Sequence, residues 1–307
     1  MPPPRLTTTD PEVRTGMPRL APTILGIAAL TIAYGPDLAQ LARIWRDEPD
    51  YSHGFLVPLV AFFIARRRLI GGTVDAKASW LGLALLAAIL AARAYFFGQG
   101  EFWLATATFI PAVAAVTLAV GGLPLLRRLW PAIAFLAFML TVPAGVQERL
   151  SRPLQRIASI SSGKILRLVG IWVVDEGNVL DLGDERLEVA TACNGLAMLT
   201  SLAAAVAAIV LLLPISLSKR IVLLISALPI AVACNILRIT ATAFAYQRFG
   251  PADGGKFAHD VAGFLMMPLA LVLIGLEMAW VSWIVRSAPV AHEPLDPALP
   301  RPTVIPR

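Results

Sequence analysis

Apolar positions in this chain do not keep a strand or surface-helix period throughout; they collect into long apolar blocks separated by short charged or Gly/Pro-rich breaks. A helix crossing about 30 Å of hydrocarbon needs about 20 mostly apolar residues. Eight such stretches are expected, at residues 20–34, 52–65, 79–97, 102–122, 129–144, 196–213, 221–244 and 261–285. The second is short in its charge-free part, and either takes in Ser52-His53-Gly54 or is partly re-entrant. The pattern predicts an all-α, polytopic membrane protein with one membrane-embedded domain over residues 20–286. The flanking tails, 1–19 with Pro-Pro-Pro and three threonines and 287–307 with repeated prolines, are expected to be disordered and cytoplasmic. The first does not resemble a secretory signal, and no internal repeat is visible.

One substantial segment, about 145–192, interrupts the spans. Leu150, Leu154, Ile157, Ile165 and Leu168 recur at helical spacing, opposed by Arg149, Arg152, Arg156, Lys164 and Arg167. This predicts an amphipathic helix at the membrane surface, meeting headgroups or a partner, or else a solvated helix packed on the spans. Beyond it, residues 179–189 alternate apolar and polar side chains around Gly183-Asp184-Glu185-Arg186, which predicts a small β-hairpin.

Composition agrees with the pattern: 57% of residues are hydrophobic and 15% charged, and the mean hydropathy is +0.73. Two cysteines make no disulfide scaffold and no CxxC motif. The net charge of +6 raises nucleic acid as a partner, but the bases fall where membrane topology puts them. With a cytoplasmic N-terminus, the inner loops and tails hold fourteen Lys and Arg against five acids, a balance of +9 that leaves −3 elsewhere. That asymmetry is the bias of short cytoplasmic loops, and it places both termini inside. No nucleic-acid partner is expected.

Topology then brings three reactive side chains to one depth at the outer face. Cys193 begins the sixth span, Arg238 lies six residues short of the seventh span's outer end at residue 244, and His259 opens the eighth. Taken singly each has an ordinary explanation: a buried cysteine is a small hydrophobe, which suits Cys234, and a lone histidine is a loop residue. An ionised arginine inside a span is costly and needs a partner or a task. Together they suit nucleophilic catalysis. A helix N-terminus and neighbouring cations lower a thiol pKa, His259 takes the proton and returns it to a leaving amine, and Arg238, never a base, stabilises an oxyanion.

The same residues carry a resemblance. Ala192-Cys193-Asn194-Gly195-Leu196, Asn235-Ile236-Leu237-Arg238-Ile239 and His259-Asp260-Val261-Ala262-Gly263 resemble the three signature blocks of the exosortase/archaeosortase family. Tyr51-Ser52-His53-Gly54-Phe55-Leu56-Val57-Pro58, followed by Arg66-Arg67-Arg68, is similar to its N-terminal block. The similarity runs over about residues 40–285; Asn194 departs from it, standing where a serine is more usual. The resemblance implies a membrane cysteine transpeptidase. Its substrates are exported proteins anchored in the bilayer by a C-terminal motif, helix and basic cluster, of the PEP-CTERM type in the bacterial branch. Cleavage would occur at the periplasmic face of the inner membrane, and the acyl group would pass to an amine acceptor or to water.

Other residues have supporting readings. Asn235 shares a helical face with Arg238 and can orient it; Asn194 and Gly195 can offer backbone N–H groups to an oxyanion. His53 either lines the site or binds the substrate, or else makes a packing or loop hydrogen bond. Arg93 is expected to snorkel, and Glu277 to take a structural pairing. No short ligand spacing supports a metal at Cys193, His53 and His259, and no cofactor is implied. The competing functions are a transporter or export channel with Arg238 and Glu277 along its pathway, and a scaffold for extracellular polysaccharide assembly.

Overall fold

The computed structural model describes residues 20–70, 77–177, 179–183, 186–188, 195–256 and 263–287. Helix α1 spans Leu20–Asp47, and a 3-10 turn, Pro49–Phe55, leads into α2, Leu56–Ile70. Helices α3 (Trp80–Gly98), α4 (Phe102–Ala107) and α5 (Phe109–Phe135) follow, the last running into a 3-10 turn at Leu136–Met139. Then come α6 (Ala144–Leu168), three short strands, β1 (Val174–Asp175), β2 (Val179–Asp181) and β3 (Arg186–Glu188), and α7 (Gly195–Leu212), α8 (Leu217–Lys256) and α9 (Gly263–Ser287). The fold is a polytopic all-α membrane protein. Large apolar side chains such as Ile32, Trp80, Leu224, Trp280 and Trp283 face outward, as a lipid-facing surface requires.

Among the described residues, five segments are long and apolar enough to cross a membrane: Thr23–Asp47, Trp80–Gly98, Phe102–Met139, Leu217–Gly250 and Leu265–Trp283. The predicted second span is α2, of 15 residues with three arginines near its end, and the sixth is α7, whose apolar run Leu196–Leu212 is shorter. The predicted fourth span, 102–122, is α4 with the first leg of α5, ending at the break at Gly122 as expected, and the fifth, expected from 129, is the second leg. Gly122 has φ 67°, and a Cβ there would lie 2.5 Å from the Lys77 carbonyl oxygen. Only glycine fits that corner. The chain turns back at it. The first leg ends where Ser79 N–H donates to the Ala119 carbonyl, the second starts where Arg128 donates to the Arg68 carbonyl, and it finishes where Trp45 Nε1 donates to the Met139 carbonyl at 3.1 Å.

These contacts sort the two ends of the bundle. Arg66, Arg67 and Arg68 close α2 beside Arg128. His53, just before α2, meets Ser201 of α7, and Val57, Ala61 and Ile64 of α2 share a core cluster with Ala207, Ala208, Leu211 and Leu212 further along α7, so α2 and α7 run the same way. After α7 the tight 213–216 connection starts α8, whose Lys219 donates to Ser282 near the end of α9 at 2.7 Å. The basic clusters of the inner loops thus share one end. The sheet and α6 lie at the other.

Two sequence expectations need correction, on Arg93 and on the end of the seventh span. Arg93 does not snorkel: its Nη2 and Nε donate to the same Asp37 oxygen at 2.8 and 3.2 Å, with the two side chains 17% and 10% exposed. Its guanidinium carbon also sits 5.0 Å from the Tyr34 ring centroid, so the cost of a buried cation is met by an ion pair and an aromatic face. The predicted hairpin is present, β2 pairing antiparallel with β3, and β1 adds a third strand against β2. The seventh span does not stop at 244; α8 continues to a kink at Gly250, where φ is 80°.

On α6 much of the predicted apolar stripe faces outward, as a helix at the membrane surface requires: Leu150 and Ile157 are exposed and Leu168 is 86% exposed, while Leu154 and Ile165 are half-buried. A third stripe, Ser151, Gln155, Ala158, Ser159, Ser162 and Leu166, is buried. Small side chains let the helix backbones approach, and in a bilayer apolar side chains gain nothing by facing protein rather than lipid. The helix therefore packs through its small polar face, leaving its apolar and basic stripes outward.

Candidate functional site

The candidate site grows from the α7–α8 hairpin. Leu199 of α7 and Ala231, Val232 and Asn235 of α8 line a common cavity of about 10 Å³ with Leu154 of α6. The two helices are antiparallel, so four residues back along α7 and a few forward along α8, Gly195 comes level with Arg238. Helical rise gives the same answer. Arg238 lies 18 residues beyond Arg220, about 27 Å, and the 18 residues of α7 cover the same rise. Both sit close to one hydrocarbon thickness from the basic end. Because α8 runs on, Arg238 lies twelve residues short of the kink rather than six from a helix end.

The surroundings of Arg238 are polar on one side and closed on the other. Its side chain is half-buried and its Nε fully buried. Asn235, three residues earlier on the same face, is 2% exposed, and its Oδ1 accepts no hydrogen bond among the described residues. An unsatisfied buried amide oxygen costs about 1–3 kcal/mol, and the adjoining cavity is about the size of one water. Ser162 of α6 donates to the Ile236 carbonyl at 3.1 Å, which ties the polar stripe of α6 to this part of α8. Next to Arg238, Ile239 is fully buried with Ala243 against Leu166 of α6 and Leu180 of β2. The small sheet and α6 therefore cover α8 at the level of the guanidinium.

Gly195 opens α7, where the first backbone N–H groups have no intrahelical acceptor and carry the positive end of the helix dipole. Cys193 and Asn194, just before it, and His259, four residues before α9, lie outside the described residues. Of the predicted set, the structure brings Arg238, Asn235 and Gly195 to one level. It holds His53 elsewhere: His53 Nδ1 is 2.9 Å from Ser201 Oγ, six residues, or about 9 Å, along α7 from Gly195. Nearby Tyr51 donates to Gln147 Oε1 at 3.1 Å, and burial pushes its phenol above the usual range, so it stays a donor. The two contacts fasten the 3-10 turn between α1 and α2 to α7 and α6.

Cys234 is fully buried in an apolar cluster with Met198, Leu202 and Ala231. Glu277 accepts from Ser226 Oγ at 2.7 Å, between α9 and α8. Sequence reasoning missed Asp37 as the partner of Arg93, although an acid within an apolar helix was a visible signal. It also missed the Ser151–Gln155–Ser159–Ser162 stripe, whose spacing of three and four was equally legible.

A family model described as transmembrane exosortase matches residues 45–276. No curated protein and no solved structure matches the chain.

Proposed function

The chain belongs to the transmembrane exosortase family, whose members are membrane-bound sorting transpeptidases, and we propose that it works through a thioacyl intermediate on Cys193. Cys193 Sγ, as thiolate, attacks the carbonyl carbon of a peptide bond next to the substrate's membrane helix. The C–O π pair moves to oxygen, and Arg238, with the backbone N–H groups of Asn194 and Gly195, holds the oxyanion. His259 takes the thiol proton and returns it to the departing amine as the C–N bond breaks. Water or an amine acceptor then attacks the thioester and releases the thiol. Asn235 orients Arg238, and His53 positions the start of α2 against α7. No metal or cofactor takes part.

The observation that carries the reading is the common level of Arg238 and the α7 N-terminus, about one hydrocarbon thickness from the basic end of the bundle. A substrate anchored by a C-terminal motif, helix and basic cluster would present its motif at that depth. Gathering of the basic clusters at the opposite end supports a periplasm-facing site in a bacterial inner membrane. A transporter reading relied on a charged pathway, whereas Glu277 is tied to Ser226.

The test is Cys193→Ala in membranes holding a reporter with such a C-terminal signal. Cleavage should be abolished while insertion and abundance stay normal, and hydroxylamine should release a trapped acyl group from the native enzyme but not from the variant. Cleavage persisting in Cys193→Ala refutes the mechanism.

A further inference from the structure

The small sheet has two edges, and the chain treats them differently. Glu176 N–H donates to the Val179 carbonyl at 2.9 Å across the β1–β2 turn, so the main chain of residue 179 bonds towards β1. Successive residues of a strand bond to opposite sides, so Leu180 bonds towards β3, where its register partner is Leu187. The main-chain N–H and C=O groups of Arg186 and Glu188, on either side of Leu187, therefore point away from β2. They form the outer edge of β3.

The opposite edge is closed by α6. The Val173 carbonyl, beside β1, accepts from Arg167 Nη1 at 3.2 Å, and Asp175 Oδ1 accepts from Ser159 Oγ at 3.3 Å. At β3, no strand pairs with the outer edge among the described residues, and the Arg186 side chain turns back over β2, its Nε donating to Asp181 Oδ2 at 3.3 Å. Proteins usually cover, twist or charge such an edge, because its unpaired main-chain groups accept another extended chain.

Position selects the occupant. Leu180, the partner of Leu187, is fully buried with Ile239, the neighbour of Arg238. Glu188 precedes Cys193 by five residues, at most about 17 Å of extended chain. A polypeptide laid along β3 therefore passes within reach of the proposed nucleophile. Outward N–H and C=O groups at alternate residues complement another extended main chain and make no demand on its side chains. Arg186 and Glu188 offer only these few groups, too few to hold a free peptide. A polypeptide anchored in the same membrane by its own helix needs no more, since tethering supplies the local concentration.

We infer that the outer edge of β3 receives the substrate as an added strand: an extended stretch of the membrane-anchored polypeptide, just before the bond to be cut, pairs through its main chain with Arg186 and Glu188. The inference rests on the peptidase reading and adds to it how the substrate is held.

The test uses the full chain in mixed micelles holding one enzyme copy each, with a synthetic substrate made of a PEP-CTERM-type motif, an apolar helix and a basic tail. The substrate is N-methylated at one residue at a time before the cut bond. KM, expressed in mole fraction, should rise about fivefold at every second residue, the worth of one hydrogen bond, and by less than about twofold between them, with kcat unchanged. The scan leaves the enzyme untouched, so a folding defect cannot imitate it. Glu188→Pro removes one outward N–H without touching the β2 ladder, and should raise KM by a similar factor at unchanged abundance. A scan without the two-residue period, an unchanged KM in Glu188→Pro, or a rise seen only in micelles holding two copies, which would assign the edge to a dimer, overturns the proposal. Cys193→Ala keeps the two claims apart. Cleavage lost in that variant with a flat scan of the native enzyme removes the added strand and keeps the nucleophile; cleavage surviving in it with a period-two scan does the reverse.

Discussion

Asp37→Ala should be among the most damaging single substitutions away from the reactive residues. The change removes the only carboxylate contacting Arg93 among the described residues, and Arg93 then keeps its charge in a setting where its side chain is 17% exposed. Breaking a buried pair from one side costs about 3–5 kcal/mol, because the remaining ion is desolvated without compensation. The Tyr34 ring at 5.0 Å and the Phe97 ring at 5.8 Å recover about 0.5–2 kcal/mol of that, so a net loss of about 2–4 kcal/mol is expected. Removing both charges, as Asp37→Ala with Arg93→Met, should cost less than Asp37→Ala alone. Arg93→Lys should fall between, since an ammonium cannot present two parallel donors or stack on tyrosine. The assay is unfolding in mixed micelles by SDS titration, followed by tryptophan fluorescence and read as a double-mutant cycle. A loss below about 0.5 kcal/mol for Asp37→Ala, or a double variant that loses the sum of the two singles, would refute the assignment of a stabilising buried pair.

Three further outcomes follow from other positions. Arg238→Lys and Arg238→Gln should each lower reporter cleavage by about 10²–10³ with unchanged abundance, measured by single-turnover kinetics; comparable activity in the lysine variant would remove the forked donor from the mechanism. Gly122→Ala should destabilise by about 1–3 kcal/mol through its positive φ and the Lys77 carbonyl. Gly275→Ala, inside α9 with nothing within 4 Å of the added Cβ, should be neutral or stabilise by up to about 1 kcal/mol in the same titration. His53→Ala and Ser201→Ala should each cost about 1 kcal/mol, and the double variant no more than either, if the bond between them is what His53 contributes.

Much of the architecture was legible because lipid demands long apolar runs and basic anchors, and both are written locally along the chain. The hairpin showed through its alternation around Gly183. What escaped depends on partners distant in the chain. Asp37 and Arg93 are 56 residues apart, and each looks like an isolated anomaly until α1 and α3 pack. The outward apolar stripe of α6 was legible as a membrane-surface pattern, but the small polar stripe through which it packs was not, because Ser162 shows its role only once it meets the Ile236 carbonyl, 74 residues away in the chain. The end of the seventh span falls too early in the sequence pattern because the apolar run stops at 244, whereas α8 continues through Arg248 to the kink at Gly250. For the site, Arg238, Asn235 and Gly195 could be placed by counting turns, while Cys193 and His259 lie outside the described residues.

The 213–216 turn that joins α7 to α8 acts as a common zero for two rulers. Gly195 and Arg238 are each measured off from it by rigid helical rise, so a thicker or thinner bilayer shifts both by the same amount and leaves their relative height untouched. Adding one residue to only one of the two helices would instead raise its far end by about 1.5 Å and turn it through about 100°. Single-residue insertions above and below the shared turn would read this mechanical coupling directly.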